Sequence, residues 1–381
     1  MSPRGDAYSA VLQNVSRQVL EPSFRSAPRM LGWNVPQHEL ASIPEHWFQF
    51  PEPDPSLQYM LGLLYIGFTF FSLTGNGLVI WIFSTAKSLR SSSNMFVVNL
   101  AIADFIMMLK TPIFIYNSFN QGYALGFKYC QIFAVMGSMT GITQATTNLC
   151  IAYDRYRIIS RPMDGKLSKG KALFMIMLTW GYALPWTLMP MTQYWGRFVP
   201  EGFLTSCTFD YLTNNMETKL FVFFIFIFSY FVPMFSIIFF YSQIVGHVVN
   251  HEKALKAQAK KMNVESLRSG EKANASAEIR IAKAAIGICA LFVLSWTPYA
   301  VLALIGAFGN QSMITPTVSM VPALFCKMVA CVDPYVYAIS HPRYRLELQK
   351  RLPWLKIREP LPPSDSSSAG TSATTDSAQA H

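Results

Sequence analysis

The chain has 381 residues, of which 51% are hydrophobic, 14% aromatic and only 14% charged. That balance excludes an ordinary water-soluble domain, in which about a quarter of the residues are charged. The formal net charge is +10, but the basic residues cluster in particular loops, which points to membrane topology and away from nucleic acid.

Residues 1–56 read as an extracellular N-terminal tail. They are polar and proline-rich, with Pro22, Pro28, Pro36, Pro44, Pro51, Pro53 and Pro55, and bury little apolar surface alone. Asn14-Val15-Ser16 is an N-glycosylation acceptor if this end is outside the cell. The aromatic pieces Trp33-Asn34-Val35-Pro36 and Ile43-Pro44-Glu45-His46-Trp47 are too apolar for pure linker and are expected over the outer mouth. No charged n-region followed by an apolar h-region opens the chain, so no cleaved signal peptide is expected.

Apolar spans follow at about 57–84, 94–118, 130–154, 171–194, 218–246, 284–308 and 314–340. Each supplies the roughly 20 residues that cross a ~30 Å hydrocarbon core. The loop after the first carries Lys87 and Arg90, and the loop after the third carries Arg155, Arg157, Arg161, Lys166, Lys169 and Lys171. The loop after the fifth holds eight more, from Lys253 to Lys283. The alternate loops carry far fewer, so the N-terminus is predicted outside and the C-terminus in the cytosol. Residues 57–340 thus form one membrane domain. In 341–355, Tyr344, Leu348, Leu352 and Leu355 recur at helical spacing between Arg343, Arg345, Lys350 and Arg351, which predicts an amphipathic helix on the anionic inner leaflet. Residues 356–381 are Ser/Thr-rich and read as a disordered cytoplasmic tail whose hydroxyls can accept phosphate.

One charge stands inside the last span. Lys327 has about ten apolar-dominated residues on either side, too many for its ammonium to snorkel to an interface. A lysine at that depth costs about 2.5–3.5 kcal/mol on insertion scales, which marks a functional site by default. A desolvated amine is also a good nucleophile, suited to forming an imine with an aldehyde. At the inner end of the third span, Asp154-Arg155-Tyr156 pairs a cation with an adjacent carboxylate. Glu278, at the start of the sixth span, is a second partner, and such a pair can lock two helices until a conformational change breaks it. No hydrolase triad, phosphate-binding loop or metal-ligand set is present; His247 and His251 share a helical face but lack further ligands.

The combination is more specific than its parts. Gly75-Asn76 lies in the first span, Asn99-Leu-Ala-Ile-Ala-Asp104 in the second, Asp154-Arg155-Tyr156 in the third, Trp296-Thr-Pro298 in the sixth and Asp333-Pro334-x-x-Tyr337 in the seventh. Across roughly 57–355 this resembles the rhodopsin-like G-protein-coupled receptors. Lys327 lies six residues before Asp333, the spacing at which opsins carry the retinal-binding lysine. The stretches IPEHW, MMLKTPIFIYNSFNQGYALG, WGRFVPEG and HEKALKAQAKKMNVESLR resemble those of insect ultraviolet-sensitive opsins.

The resemblance implies an all-α, seven-transmembrane-helix receptor, not an enzyme. It implies 11-cis retinal, or a hydroxylated retinal, joined covalently to Lys327. A heterotrimeric G protein is the expected partner. It would be of Gq type, because the 257–269 run and His341-Pro342-Arg343 resemble invertebrate opsins of that coupling. Arrestin and a receptor kinase follow by the same resemblance, as does the rhabdomere microvillar plasma membrane of photoreceptor cells. Cys130 and Cys207 face the oxidising side and are expected to form a disulfide, as the resemblance also implies. Cys150, Cys289, Cys326 and Cys331 are expected to stay free. The vertebrate counterion position is occupied here by Phe133, which leaves Glu201, in the outer loop six residues before Cys207, as the counter-carboxylate.

Lys110 lies about 24 Å up the second span and Lys327 about 20 Å up the seventh. Two cations at one depth disfavour the protonated state of one of them, which predicts short-wavelength tuning by Lys110. Trp296, Tyr299, Phe231, Phe133, Ala134 and Gly137 are expected around the chromophore, and Asp104 and Asp333 in a polar cluster. Three other readings remain. A retinal photoisomerase would need no G-protein surface. A light-driven pump would need paired third-span aspartates, and that span offers only Asp154. A chemosensory receptor would have lost retinal altogether.

Overall fold

The computed structural model describes residues 29–161, 166–262 and 269–357, with backbone alone at 251–252, 254–262, 269–282, 284–285 and 337–340. Helix α1, Pro55–Thr85, starts on Asp54, whose carboxylate accepts the Ser56 amide, with Pro55 in the first turn, a favoured N-terminal arrangement. Helix α2, Ser92–Leu109, starts on Ser91 in the same way.

The second predicted span is not one helix. It breaks at Lys110 and resumes as α3, Thr111–Phe119. Pro112 has no N–H to offer the Met108 carbonyl. The Thr111 hydroxyl donates to that carbonyl instead, at 2.6 Å. The break matters because it sits at the lysine singled out for tuning.

Helices α4, Gly126–Ser160, and α5, Lys169–Met191, come next. A two-stranded antiparallel hairpin then follows, β1 Phe198–Glu201 and β2 Ser206–Phe209. The fifth span is α6, Met216–Phe226, a π-helical turn at Ile227–Phe231, and α7, Val232–Met262. Pro233 lacks the amide that would close the turn before it, so the helix widens there. Helices α8, Ser269–Phe308, α9, Pro316–Ser340, and α10, Pro342–Arg351, complete the chain.

Among the described residues, six helical segments are long and apolar enough to cross a membrane: Pro55–Thr85, Ser92–Phe119, Lys169–Met191, Met216–Asn250, Ile286–Phe308 and Pro316–Val336. Helix α4 is the exception, and its place explains why. It packs against α2, α5, α7, α8 and both strands, so it faces protein on nearly every side. Its polar residues Thr140, Thr143, Gln144, Thr147 and Asn148 are buried there and find partners: Asn99 Nδ2 donates to Thr147 Oγ1 at 2.7 Å, and Gln144 Nε2 to Asp104 Oδ1 at 2.6 Å. Buried polar groups satisfied in this way cost little and specify one packing.

Residues 29–54 are not a loose tail. Trp47 is fully buried and donates its indole N–H to the Pro200 carbonyl at 3.2 Å. The Glu39 carboxylate accepts the Phe127 amide at 3.1 Å. The two aromatic pieces therefore clamp the hairpin from outside. Asn14 and the Ser/Thr tail from 358 onward lie outside the described residues.

At the other end of the bundle, α10 buries Tyr344 and Leu348, and Tyr344 stacks on Phe83 with ring centroids 5.3 Å apart. His341 caps α10, its Nδ1 accepting the Tyr344 amide at 3.3 Å. Burial, then the Arg343 and Arg155 charges, push the His341 pKa down to about 4. The folded state therefore holds fewer protons than the unfolded chain between about pH 4 and 6.5. Stability from this group is complete above that window and is lost as pH falls through it, by at most roughly 3 kcal/mol. His341→Asn keeps a cap acceptor without titrating. Its melting temperature should fall less than that of the wild type between pH 6.5 and 4.5; parallel curves would exclude the effect.

Candidate functional site

A cavity lies inside the outer half of the bundle, walled by α2, α4, the hairpin, the π turn, α8 and α9. Its walls are mostly apolar and aromatic. Three charged side chains break that pattern: Lys110 from the α2 break, Lys327 from α9 and Glu201 from β1 all line this one space. Residues 91 to 217 apart in sequence are thereby brought to a common wall.

Lys110 is buried and does not snorkel outward. Its Nζ lies 4.1 Å from the centroid of the Phe133 ring, a cation–π distance. A Cβ built on Gly137 would stand 2.1 Å from that same Nζ. Gly137 is thus the position on α4 whose missing side chain gives the Lys110 amine its room. The Lys327 amine makes no hydrogen bond or ion pair among the described residues, which leaves it free within the cavity.

Glu201 is buried, not exposed on a loop. Its Oε1 accepts from the Tyr211 hydroxyl at 2.7 Å and from the Tyr299 hydroxyl at 3.2 Å. Burial raises its pKa; the Tyr211 bond, Lys327, the Tyr299 bond and Lys110 pull the other way without overcoming it. The Cys130–Cys207 disulfide ties β2 to the outer end of α4 and seats the hairpin as a lid over the cavity.

Of the expected pocket residues, Phe133, Ala134, Gly137, Trp296 and Tyr299 line the space. Phe231 does not. The π turn carries it out of the lining, where it stacks on Phe235 at 6.1 Å; Phe226, Ser229 and Tyr230 face the cavity from that helix instead. The inward faces of the lid (Phe198, Thr208 and Phe209 among them) and the phenol of Tyr211 behind it had no signal in the sequence. Ser229 Oγ and Trp296 Nε1 are buried without a hydrogen-bond partner, so the cavity keeps polar atoms for a ligand or water.

Below the cavity, Trp296 wedges against α4 at Gly141, where a Cβ would stand 2.8 Å from the indole edge. Further down, Asn76 Nδ2 donates to the Ala330 carbonyl at 2.8 Å. Asn76 Oδ1, Asp104 Oδ2 and Asp333 Oδ1 are buried without partners. Pro334 packs on Gly75, where a Cβ would lie 2.7 Å from its ring. At the inner end Arg155 Nη2 donates to Asp154 Oδ2 at 2.7 Å, both buried. Tyr156 packs against Phe240 with centroids 5.4 Å apart. The side chains of Glu278 and Tyr337 lie outside the described residues.

Comparison with known proteins agrees with this geometry. The family "7 transmembrane receptor (rhodopsin family)" matches residues 75–337. The chain is 68% identical over 345 residues to "Opsin, ultraviolet-sensitive" of Apis mellifera, covering 90% of this chain and 93% of that one. It is 61% identical over 373 residues to Opsin Rh3 of Drosophila melanogaster, 97% of each chain. The crystal structure of squid rhodopsin superposes with a TM-score of 0.77 at 35% identity, over 84% of this chain and 92% of that one.

Proposed function

The chain belongs to the rhodopsin family of seven-transmembrane receptors, among the insect ultraviolet-sensitive opsins, and on that premise we propose that it binds 11-cis retinal on Lys327 and signals to a Gq-type G protein. The observation that carries this reading is one long apolar cavity with a free amine at one wall and a buried carboxylate beside it. Those residues fit an elongated apolar aldehyde whose carbonyl meets Lys327. Retinal held there as an imine supplies the light-absorbing polyene and, on isomerisation from 11-cis to all-trans, a change of shape. A hydroxylated retinal fits the same description.

The protein's own residues do the rest. Glu201 is the only carboxylate lining the cavity among the described residues, so it offsets one positive charge and not two. Tyr211 and Tyr299 hold it in place by their hydroxyl groups. Lys110 brings a second amine to the same wall and biases its neighbour toward the neutral form, which favours ultraviolet absorption. Trp296 couples the cavity floor to α8 and α4. Its displacement favours a state in which the inner end of α8 moves away from α4, a shift between pre-existing populations. Arg155 then leaves Asp154 and opens the inner crevice to the G protein. In this arrangement the N-terminus is extracellular and the inner end lies in the cytosol of a photoreceptor cell.

The test is nucleotide exchange. With retinal bound, ultraviolet light should accelerate GDP–GTP exchange on a Gq-type α subunit by at least tenfold over darkness. A pigment that bleaches without promoting exchange on any G protein would instead be a photoisomerase.

A further inference from the structure

A second space lies outside the bundle, at the inner end. It is a groove bounded by the end of α1, the loop after it, α2 and the start of α5. Helices α1 and α5 both pack on α2, and the groove runs between them. Its floor and sides are Phe83, Met95, Val98, Ile102 and Ile176. At its mouth stand two cations, Arg90 and Lys169, and no carboxylate lines it among the described residues.

The mouth is built to receive an anion. Arg90 spends only its Nε–H, on the Ser84 carbonyl at 3.0 Å. Lys169, exposed, has no ion pair among the described residues. It opens a helix of 23 residues whose N-cap is Ser168, so the helix dipole adds to the positive field. The serines Ser84 and Ser91 also border the space.

We infer that this groove binds one phospholipid of net negative charge, its headgroup phosphate between Arg90 and Lys169 and one acyl chain along α2. A groove on the bilayer face of a membrane bundle is filled by lipid; the two unopposed cations select which. The length agrees. From Ser91 to Ile102 the helix rises about 16 Å, close to half of a ~30 Å hydrocarbon core. The groove therefore admits the chain of a lipid from one leaflet only. The proposed orientation makes that the cytosolic leaflet, and the inference rests on the preceding reading for this point alone.

The test needs no retinal. The full chain, purified in detergent, is titrated with phosphatidylserine or phosphatidylcholine and the bound lipid counted by native mass spectrometry. The wild type should hold at least one phosphatidylserine about tenfold more tightly than phosphatidylcholine, as expected for two cations facing a net negative headgroup, a charge that the choline group cancels in phosphatidylcholine. Arg90→Gln/Lys169→Gln should erase that preference. Val98→Trp, which fills the groove and leaves both charges, should weaken the same lipid equally. Lys350→Gln, on α10 and outside the groove, should change nothing. Equal binding of the two lipids by the wild type, or an unchanged preference in both groove variants, overturns the inference. Loss of preference in Lys350→Gln to the same extent also overturns it, because diffuse surface charge is then the cause. Uptake of 11-cis retinal by each variant reports its fold separately, and a protein that makes no pigment at all but keeps the lipid preference would fail the preceding reading and not this one.

Discussion

Lys327→Ala is expected to abolish the pigment completely. Mixed with 11-cis retinal, the variant should give only the spectrum of free aldehyde, and borohydride reduction should leave every peptide unlabelled. The wild type should carry the retinyl group on the peptide containing Lys327. The discriminating feature is the second amine in the cavity. Lys110 is the alternative attachment point, but its Nζ is turned onto the Phe133 ring and against the backbone at Gly137. Lys327 is the amine left unengaged. A label found on Lys110, or a pigment of unchanged colour from Lys327→Ala, would defeat the assignment. The substitution removes a partly buried cation from an apolar helix, so the fold should not suffer.

Lys110→Glu should move the absorption band from the ultraviolet into the visible while leaving the label on Lys327. Lys110 and Lys327 line one cavity, and two like charges there repel; at an effective dielectric of about 20, unit charges on the order of 5–10 Å apart interact by roughly 2–3 kcal/mol. Reversing one sign turns that into a similar attraction. The swing of roughly 4 kcal/mol changes the protonation equilibrium constant of the Lys327 nitrogen by about a thousandfold. A protonated nitrogen delocalises the polyene electrons further and lowers the transition energy. An unaltered band would rule out tuning by Lys110. Gly137→Ala offers a milder version, because the new methyl group displaces the end of a flexible side chain; a smaller shift in the same direction is expected.

The membrane class, the orientation argument and the lysine buried deep in the last span are local properties of the sequence. Hydropathy, charge and helical rise each add up residue by residue, and a charge ten residues inside an apolar span has nowhere to go. The equal depth of Lys110 and Lys327 follows from counting residues. The motif set from Gly75 to Tyr337 is likewise legible as spacing, and so is the Cys130–Cys207 pair.

What counting does not supply is the direction in which each side chain points. Pro112 breaks the second span at Lys110, and only the packed structure turns that amine toward Gly137 and not toward lipid. One extra residue in the π turn removes Phe231 from the cavity and brings in Ser229 and Tyr230. Glu201 reads in sequence as a counter-carboxylate placed in an outer loop, with its burial unspecified. It becomes a buried acceptor for two phenols because a disulfide, a hairpin and the N-terminal clamp at Trp47 press the loop inward. The sequence alone therefore determined that this chain crosses a membrane seven times and carries a lysine deep in its last span. Tertiary structure alone decided how Glu201 and Lys110 are turned into its cavity, because side-chain direction depends on contacts between segments that a linear pattern does not record.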